Sequence, residues 1–587
     1  GVVISDPVVR LDGCFGESLA VSGNIGFVSQ SGALGGGILN ILKDLNLGFA
    51  QFISIGNQAD VNAETALEYW ENEEDVEQIL LYMESIQNPA NFRKLASRIS
   101  KKKPVLALKA GRSAAGASAA SSHTGSLAGA DKAANALLQQ SGVIREYSLK
   151  NLFATAKVFA NCPIPKGDRV AIITNSGGPG IMATDAISEY GMQMAKITDE
   201  TKEKLRSFLP SAASVKNPID MIASAPIEHY KQTLETVIAD PNVDMIITIY
   251  LPFLGLKDID VAQALMEIKA EHPEKPIIGV FMTKSEFFTK LSNMNVNMPF
   301  FMYAEEAADG LNRLNQQRLW MERPEGKTPV YDVDHERAKQ IIRKSISEGR
   351  AQLTTRESID VLDAYGIRVC KSGFATTEDE AVSIANSIGY PVVMKMTSKT
   401  TSHKTDVGGV RVNIQSEEQL RAEYQDLIAK LTEKGLIDGL EGVIIQEMVK
   451  GSREMVCGIA TDPQYGPMMM FGLGGVFIEV LKDVTFRIAP LTDVDAMEMI
   501  KSVKSYKLLE GARGTKPAQL DQIQETLMRL SQLVHDFSFI DELDINPLLI
   551  SEKTGEGIAV DGRIKVRMEE AQKALVSACG ACSGCCH

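Results

Sequence analysis

The sequence lacks any run of 18 or more apolar residues and any pattern typical of a signal peptide. A helix needs about 20 apolar residues to cross a bilayer, so these absences argue against a membrane protein and favour a cytoplasmic one. A basic excess is also missing, because 61 Lys and Arg stand against 75 Asp and Glu. The resulting net charge of −14 argues against a nucleic-acid-binding surface, although local basic pockets for phosphate remain compatible with it.

Cysteine is scarce outside the C-terminus of the chain. Four of the eight cysteines are scattered, as expected for reduced thiols in a cytosolic enzyme. The other four crowd the last nine residues, CGACSGCCH. That spacing is too compressed for an ordinary zinc site with two Cys pairs. We therefore interpret 573–587 as a loose Cys-rich tail and leave it out of the mechanism.

The first half of the chain contains an internal repeat. Residues 24–44 and 168–190 each read as a short apolar strand, a Ser/Gly-rich turn and a helix. Further apolar runs recur in both halves in the same order, at 78–84 and 104–109 and again at 244–251 and 276–282. Buried strands that alternate with helices indicate parallel sheets covered on both faces. The pattern predicts two flavodoxin-like α/β domains, at 1–163 and 164–325.

The second half has a different character. A charged stretch at 326–350 is typical of a linker. Between 351 and 572, helices alternate with longer strands such as PVVMKM and GVIIQEM, which indicates an α+β domain.

Two Ser/Gly turns precede the repeated helices and are candidate phosphate-binding sites. Free N–H groups at a helix start bind anions, and glycine lets the backbone approach them closely. A single such turn often serves only the chain reversal, but its recurrence favours a shared phosphate. The candidate residues are Ser29, Gln30, Ser31 and Gly32 in the first copy, and Asn175, Ser176, Gly177 and Gly178 in the second.

One histidine lies in a run of small residues. His123 belongs to SSHTGSLAG at 121–129, before a predicted helix. A neutral imidazole nitrogen can accept a phosphoryl group, although an isolated histidine is more often an ordinary surface residue.

The segments VSQSGALG, SSHTGSLAG and TNSGGPG resemble the succinyl-CoA synthetase superfamily, above all its acyl-CoA synthetases of the NDP-forming type, such as acetate–CoA ligase (ADP-forming). The resemblance implies that His123 takes phosphate from an acyl phosphate and passes it to a nucleoside diphosphate at a separate ATP-grasp site. It also implies that Glu84 orients this histidine, since a carboxylate fixes the imidazole tautomer. His403, in HKTDVGG, resembles a second histidine with a transient relay role; an ordinary structural role stays open.

The same resemblance identifies 351–572 as an ATP-grasp domain. It implies that Lys395 binds nucleotide phosphates and that Glu454 lies near the ribose. It also implies an adenine-binding hinge made of Gln446, Glu447, Met448 and Val449. It implies Mg²⁺ ligands at Asn546 and Asp561. Asp544 lies nearby, where the family more often has glutamate.

The predicted function is reversible acid–thiol ligation, in which acyl-CoA, ADP and phosphate give a carboxylic acid, ATP and CoA. Acetate or another short-chain acid is favoured, with Mg²⁺, ATP/ADP and coenzyme A as cofactors. The alternatives are a CoA- or nucleotide-sensing pseudo-enzyme, and the same chemistry on succinate, malate or a hydroxy acid. The resemblance also implies a homo-oligomer, so self-association is expected.

The N-terminus departs from the family pattern. Single-chain members usually begin with a Rossmann-like CoA-binding domain, whereas Gly1 begins a segment that resembles the end of that domain. We therefore expect CoA binding to need a separate domain or a longer chain.

Overall fold

We describe a computed structural model of the 587-residue chain. The structure describes all residues except 6–8, 15–20, 114, 116–129, 254, 295, 399–408, 450, 476–482, 512–513 and 576–587. The chain divides into two compact units, Gly1–Arg323 and Pro324–His587. Within the described ranges, no helix is long and apolar enough to cross a membrane.

Sheet A belongs to the first unit. Among the described residues it has seven strands, β1 to β7, at Val2–Ile4, Leu11–Asp12, Ser22–Ser29, Phe49–Ser54, Gln78–Met83, Val105–Lys109 and Ile144–Glu146. Their spatial order is β2-β1-β4-β3-β5-β6-β7. Strands β3 to β7 are parallel, and β1 runs antiparallel to β2 and β4.

Sheet B follows in the same unit. As far as the chain is described, it comprises β8 to β13, at Arg169–Thr174, Gln193–Met194, Ile219–Asp220, Met245–Tyr250, Ile277–Phe281 and Phe300–Phe301. The order is β10-β8-β11-β12-β13, with β9 paired to β8, and all these pairs are parallel. In both sheets the strand before the Ser/Gly turn therefore lies in the interior.

Helices connect these strands. Those that accompany sheet A, α1 to α5, span Gly32–Ile41, Ala63–Trp70, Pro89–Ile99, Ala130–Gln140 and Leu149–Asn161. Those that accompany sheet B, α6 to α11, span Gly177–Glu189, Asp199–Phe208, Ile227–Ile238, Asp258–Glu271, Ser285–Leu291 and Ala304–Glu322. Several begin at side-chain caps, for example Asn62 before α2 and Ser148 before α5, whose oxygens accept helix N–H groups.

Both sheets are covered on their two faces, as the apolar strand runs predict. In β11, Ile246 packs into a core with α7, α8 and α9, while Ile247 packs into the opposite core with α6 and α11. The core against sheet A contains Phe27, Phe49 and Phe52. The ring centroid of Phe27 lies 5.3 Å from that of Phe49 and 5.5 Å from that of Phe52. This burial on both faces leaves the strand ends as the exposed edges where polar side chains collect.

The second unit contains two antiparallel sheets in its described part. The small sheet has β14 to β17, at Ser372–Ala375, Val392–Ser398, Val410–Ile414 and Leu440–Glu447, in the order β14-β17-β15-β16. The large sheet has β18 to β23, at Ser452–Asp462, Gly466–Leu473, Val484–Ile488, Ile540–Ser551, Gly557–Ala559 and Arg563–Val566. Its order is β20-β19-β18-β21-β22, with β23 paired to β21.

Helices cover one face of each of these sheets. They are α12 to α19, at His335–Ser347, Thr355–Ala364, Glu378–Ile388, Glu417–Glu433, Asp493–Ser502, Tyr506–Leu509, Leu520–Asp536 and Met568–Leu575. Helices α14 and α15 pack on the small sheet, and α12, α13, α16 and α18 pack with the large sheet. The face of the small sheet opposite α14 and α15 carries the polar residues described below.

Candidate active site

The first Ser/Gly turn closes the carboxyl end of β3. The hydroxyl of Ser29 donates to the carbonyl of Ser31 (2.7 Å) and accepts its N–H (3.2 Å). The hydroxyl of Ser31 in turn caps α1 by accepting the N–H of Leu34 (3.4 Å). Gly32, at the first helical position, is exposed. This turn therefore presents an open helix start at the sheet edge.

The second turn repeats the same bonds at the end of β8. The hydroxyl of Thr174 donates to the carbonyl of Ser176 (2.7 Å) and accepts its N–H (3.0 Å). Ser176 is the N-cap of α6, but its side chain makes no capping bond. Gly177 and Gly178 are exposed. The repeated sequence thus produces a repeated local structure, with an anion-type helix start in each copy.

An amide side chain ties each turn to the end of the adjacent strand. In the first copy, Gln30 accepts the N–H groups of Glu84 and Ser85 (3.0 Å to Ser85) and donates to the carbonyl of Ser85 (3.0 Å). In the second copy, Asn175 donates to the carbonyl of Leu251 and accepts its N–H, both at 2.9 Å. Glu84 is thereby fixed beside the first turn, with an exposed side chain.

The two predicted histidines lie outside the described residues, because His123 falls in 116–129 and His403 in 399–408. The segment with His123 connects β6 to α4, and α4 returns to sheet A. The structure thus brings Glu84 together with the first turn, while the position of the histidine relative to them stays a prediction.

A second cluster of predicted residues lies in the second unit, on the face of the small sheet opposite α14 and α15. Side chains alternate along β15, so Met394 and Met396 enter the core and Lys395 projects to the other face. The ammonium of Lys395 donates to the carbonyl of Val560 (2.9 Å) and lies 3.8 Å from a carboxylate oxygen of Asp561. This contact joins the small sheet to the loop between β22 and β23.

The predicted hinge begins at the same carbonyl. Gln446 is buried, and its amide donates to Val560 (2.9 Å) and to the thiol of Cys370. Sequence reasoning gave no role to Cys370 or Val560, since they lie 76 and 114 residues from Gln446 and only the fold brings them together.

The rest of the hinge is bonded within the protein. The N–H of Glu447 donates to Lys371 (2.9 Å), and that of Met448 donates to Pro391 (3.3 Å). Val449, which follows β17, is half-buried. These bonds fix the segment to β14 and β15.

Glu454 lies against a glycine-rich turn that follows β19. The N–H of Gly474 donates to the carbonyl of Glu454 (2.8 Å), and Gly475 has φ +67°. A Cβ atom at Gly475 would lie 2.2 Å from a carboxylate oxygen of Glu454. The N–H of Gly475 also reaches the amide oxygen of Asn546 (3.4 Å). Glycine is required here by both the backbone conformation and the close approach.

Two of the predicted metal-site residues, Asp544 and Asn546, lie on β21, and Asp561 lies in the loop between β22 and β23. Burial raises the pKa of Asp544 from its ordinary value of 3.8 to about 6, and the nearby charge of Asp561 adds to this rise, while Arg563 opposes it. No group of three or more His, Cys, Asp or Glu side chains forms a metal site in the described ranges. Two carboxylates that repel each other, with the amide oxygen of Asn546, nevertheless fit Mg²⁺, which keeps several waters and bridges phosphates.

These features define a class of protein. Two parallel-sheet domains with mirrored anion-type turns precede a unit with two antiparallel sheets, between which a lysine, a buried amide and two acids converge. This combination of folds and sites is that of a succinyl-CoA synthetase-type ligase with an ATP-grasp domain. Comparison with known proteins leads to the same class.

Three family models match successive parts of the chain. The succinyl-CoA ligase-like flavodoxin domain matches residues 22–159, the Ligase-CoA domain matches 170–308, and the ATP-grasp domain matches 344–566. The 4-hydroxybutyrate–CoA ligase (ADP-forming) of Nitrosopumilus maritimus is 37% identical over 563 residues, which are 95% of this chain and 80% of the relative. The acetate–CoA ligase (ADP-forming) I of Archaeoglobus fulgidus is 37% identical over 550 residues, 93% of this chain and 78% of the relative.

A solved structure gives a related result. The dinucleotide-forming acetyl-coenzyme A synthetase 1 of Candidatus Korarchaeum cryptofilum, in complex with phosphate and ADP, is similar with a TM-score of 0.51 and 29% identity. The match covers 55% of this chain and 70% of that chain. The chain described here belongs to the family of ADP-forming acid–CoA ligases. The predicted family, fold class and enzyme class are confirmed, whereas the domain limits and the roles of individual residues stay predictions.

Proposed function

We propose that this chain interconverts acyl-CoA, ADP and phosphate with a carboxylic acid, ATP and CoA through a phosphohistidine at His123. The observation that carries the proposal is the pairing of a duplicated anion-type turn, tied to Glu84 by Gln30, with a separate nucleotide-type cluster around Lys395. In this proposal His123 carries phosphate from the first cluster to the second, because a histidine nitrogen can accept and pass on a phosphoryl group.

At the first site, phosphate attacks the thioester carbonyl, forms acyl phosphate and expels the thiolate of CoA. A nitrogen of His123 then attacks phosphorus, and the carboxylic acid leaves as its carboxylate. The helix starts at Ser31 and Ser176 hold the phosphoryl oxygens through their N–H groups. Glu84 accepts the remaining imidazole N–H and stabilises the positive charge that develops on the ring.

At the second site, the phosphoryl group moves from histidine to ADP. Lys395 binds phosphate oxygens, the hinge from Gln446 to Val449 holds the base and Glu454 binds the ribose. Mg²⁺, held by Asn546 and Asp561 with Asp544 nearby, would neutralise charge on the phosphates. His403 is proposed as a transient relay near the nucleotide.

The domain division and the partners belong to the proposal. Domains at 1–163 and 164–325, a linker at 326–350 and an ATP-grasp domain at 351–572 fit the order of the matching family models. Nucleotide, phosphate, CoA and a small acid are the proposed partners, with self-association and a cytoplasmic location. The names of the relatives, which include acetate and 4-hydroxybutyrate ligases, support a short-chain monocarboxylic acid.

The carrier is tested by incubating the full chain with Mg²⁺ and ATP labelled at the γ-phosphate. We expect acid-labile label that ADP removes, and we expect none in His123→Ala. His272→Ala is the matched control, since this partly exposed histidine pairs only with Glu274 in the described structure. Labelling of His123→Ala to the level of the parent would refute the mechanism.

The acid is identified by measuring CoA-dependent release of ADP over a panel of acetate, 4-hydroxybutyrate, succinate and malate, with and without a supplied N-terminal CoA-binding domain. Turnover with the monocarboxylic acids and not with the dicarboxylic acids is expected. Labelling without turnover on any acid, even with the CoA-binding domain supplied, would favour a sensing protein over a ligase.

A further inference from the structure

The internal repeat provides a comparison within one chain. Ser29 of β3 pairs with Tyr82 of β5, and the equivalent Thr174 of β8 pairs with Ile249 of β11. By this register Met83 of the first copy corresponds to Tyr250 of the second, and Glu84, the next residue, corresponds to Leu251. The next strands extend this register, because Met83 pairs with Lys109 and Tyr250 pairs with Phe281.

Charged residues in the first copy therefore replace apolar ones in the second. Lys109 corresponds to Phe281, which is fully buried in the core. One strand further, Glu146 corresponds to Phe301, because Leu108 pairs with Glu146 and Val280 with Phe301. The fold can thus be built with apolar side chains at these positions, and the charges in the first copy need another explanation.

Glu146 has a structural explanation. Its buried carboxylate accepts a hydrogen bond from Thr155 (2.8 Å) and lies 3.1 Å from Nε of Arg313 on α11. This ion pair joins β7 of sheet A to α11, a helix that accompanies sheet B. The charge of Glu146 is thus compensated within the protein, and removal of its partner would leave a buried carboxylate unpaired.

Lys109 has no such explanation. In the described part of the chain, its half-buried ammonium donates to the carbonyl of Ala110 (2.7 Å) and forms no ion pair. Burial lowers the pKa of Lys109, while the charges of Asp131 and Glu84 partly restore it. Asp131 itself is bound to the guanidinium of Arg145. A desolvated cation without a direct counter-ion is unfavourable unless an anion joins it.

The surroundings of Lys109 indicate which anion this is. Lys109 ends β6 and Glu84 follows β5, so both lie at the carboxyl edge of sheet A. Strand β5 is next to β3, which leads into the turn at Ser29–Gly32, and β6 is the strand beyond β5. Ligands of open α/β sheets bind at this edge. A phosphate bound beside the exposed carboxylate of Glu84 would be repelled by it, and a nearby ammonium would offset that repulsion.

We propose that the Lys109 ammonium is a further phosphate-binding group at the carboxyl edge of sheet A, special to the first copy of the repeat. The inference rests on the proposed function, in which the phosphate that attacks the thioester carbonyl binds at this edge of sheet A. On phosphate binding, the ammonium leaves the carbonyl of Ala110 and donates to a phosphate oxygen.

Binding of inorganic phosphate to the full chain by isothermal titration calorimetry tests this assignment. Lys109→Met is expected to weaken binding by about tenfold or more, the usual effect of losing a charge-assisted hydrogen bond, and Lys109→Arg to restore most of it. Lys103→Met is the matched control. Lys103 is also partly buried and donates to the carbonyls of Trp70 (2.8 Å) and Glu73 (2.5 Å), but it lies before β6, at the opposite edge.

Four results would overturn the assignment: no phosphate binding by the parent, equal binding by Lys109→Met, equal weakening in Lys103→Met, or Lys109-dependent binding of acetate in place of phosphate. Thermal unfolding of each variant verifies that it is folded, and Lys109→Gln replaces Lys109→Met if the latter is not. Labelling by ATP in the same variants separates the two proposals. A parent that is not labelled refutes the histidine carrier, whereas equal phosphate affinity of parent and Lys109→Met refutes only the role of Lys109.

Discussion

Asp544→Asn is expected to stabilise the second unit in the absence of divalent metal. The carboxyl of Asp544 lies on β21, where burial and the charge of Asp561 raise its pKa to about 6. The folded chain therefore holds this proton more tightly than the unfolded chain, in which the pKa returns to about 3.8. Stability is lost as the pH rises between these values, because the carboxylate must then be charged inside the fold.

The magnitude follows from the two pKa values. A rise from 3.8 to about 6 corresponds to about 3 kcal/mol at a pH well above 6. Partial exposure lets solvent screen the charge, so we expect the neutral, isosteric asparagine to add about 2 kcal/mol at pH 7.5. The gain should shrink as the pH falls from 6 to 4, where the parent carboxyl becomes neutral too.

Urea unfolding with EDTA, followed at several pH values, measures this difference. Asp541→Asn is the matched control on the same strand, because its carboxylate lies 3.1 Å from the ammonium of Lys565 and gains from that contact. A second arm adds Mg²⁺, which should stabilise the parent more than Asp544→Asn. A variant that is less stable than the parent at pH 7.5, or a difference that does not change with pH, would refute the reasoning.

Three further predictions concern single contacts. Gly475→Ala should cost about 1–2 kcal/mol of stability, because alanine is strained at φ +67°. It should also raise the KM for ATP in steady-state kinetics, because the new Cβ displaces Glu454, and an unchanged KM would contradict this. Arg313→Met should destabilise the first unit by about 3 kcal/mol in chemical unfolding, since it leaves Glu146 buried and unpaired, and a second change, Glu146→Gln, should recover much of the loss. Gln30→Leu should cost about 1–3 kcal/mol by the same assay, because the N–H of Ser85 loses its partner, and stability equal to the parent would argue against the bridge.

The sequence was informative wherever the determinant is local. Apolar strands followed by Ser/Gly turns predicted both parallel sheets and the open helix starts at Gly32 and Gly177. The same pattern could not predict what Gln30 and Asn175 do, because their partners lie 55 and 76 residues away and depend on strand order.

The nucleotide cluster illustrates the same limit. Lys395 and Gln446 were predicted individually, yet their common partner is the carbonyl of Val560, a group that has no signature in a sequence. Lys109 was also missed, because a lysine at the end of an apolar strand is unremarkable until strand register matches it with Phe281. Backbone acceptors and register become visible only in three dimensions.

The most direct test of the central claim is the nucleotide product formed from ATP by the full chain and by His123→Ala. The assay contains Mg²⁺, CoA, a short-chain acid and a supplied N-terminal CoA-binding domain. We expect ADP and phosphate, released only when acid and CoA are both present, and no release by the variant. Formation of AMP and pyrophosphate, or ADP release by His123→Ala at the rate of the parent, would contradict the account.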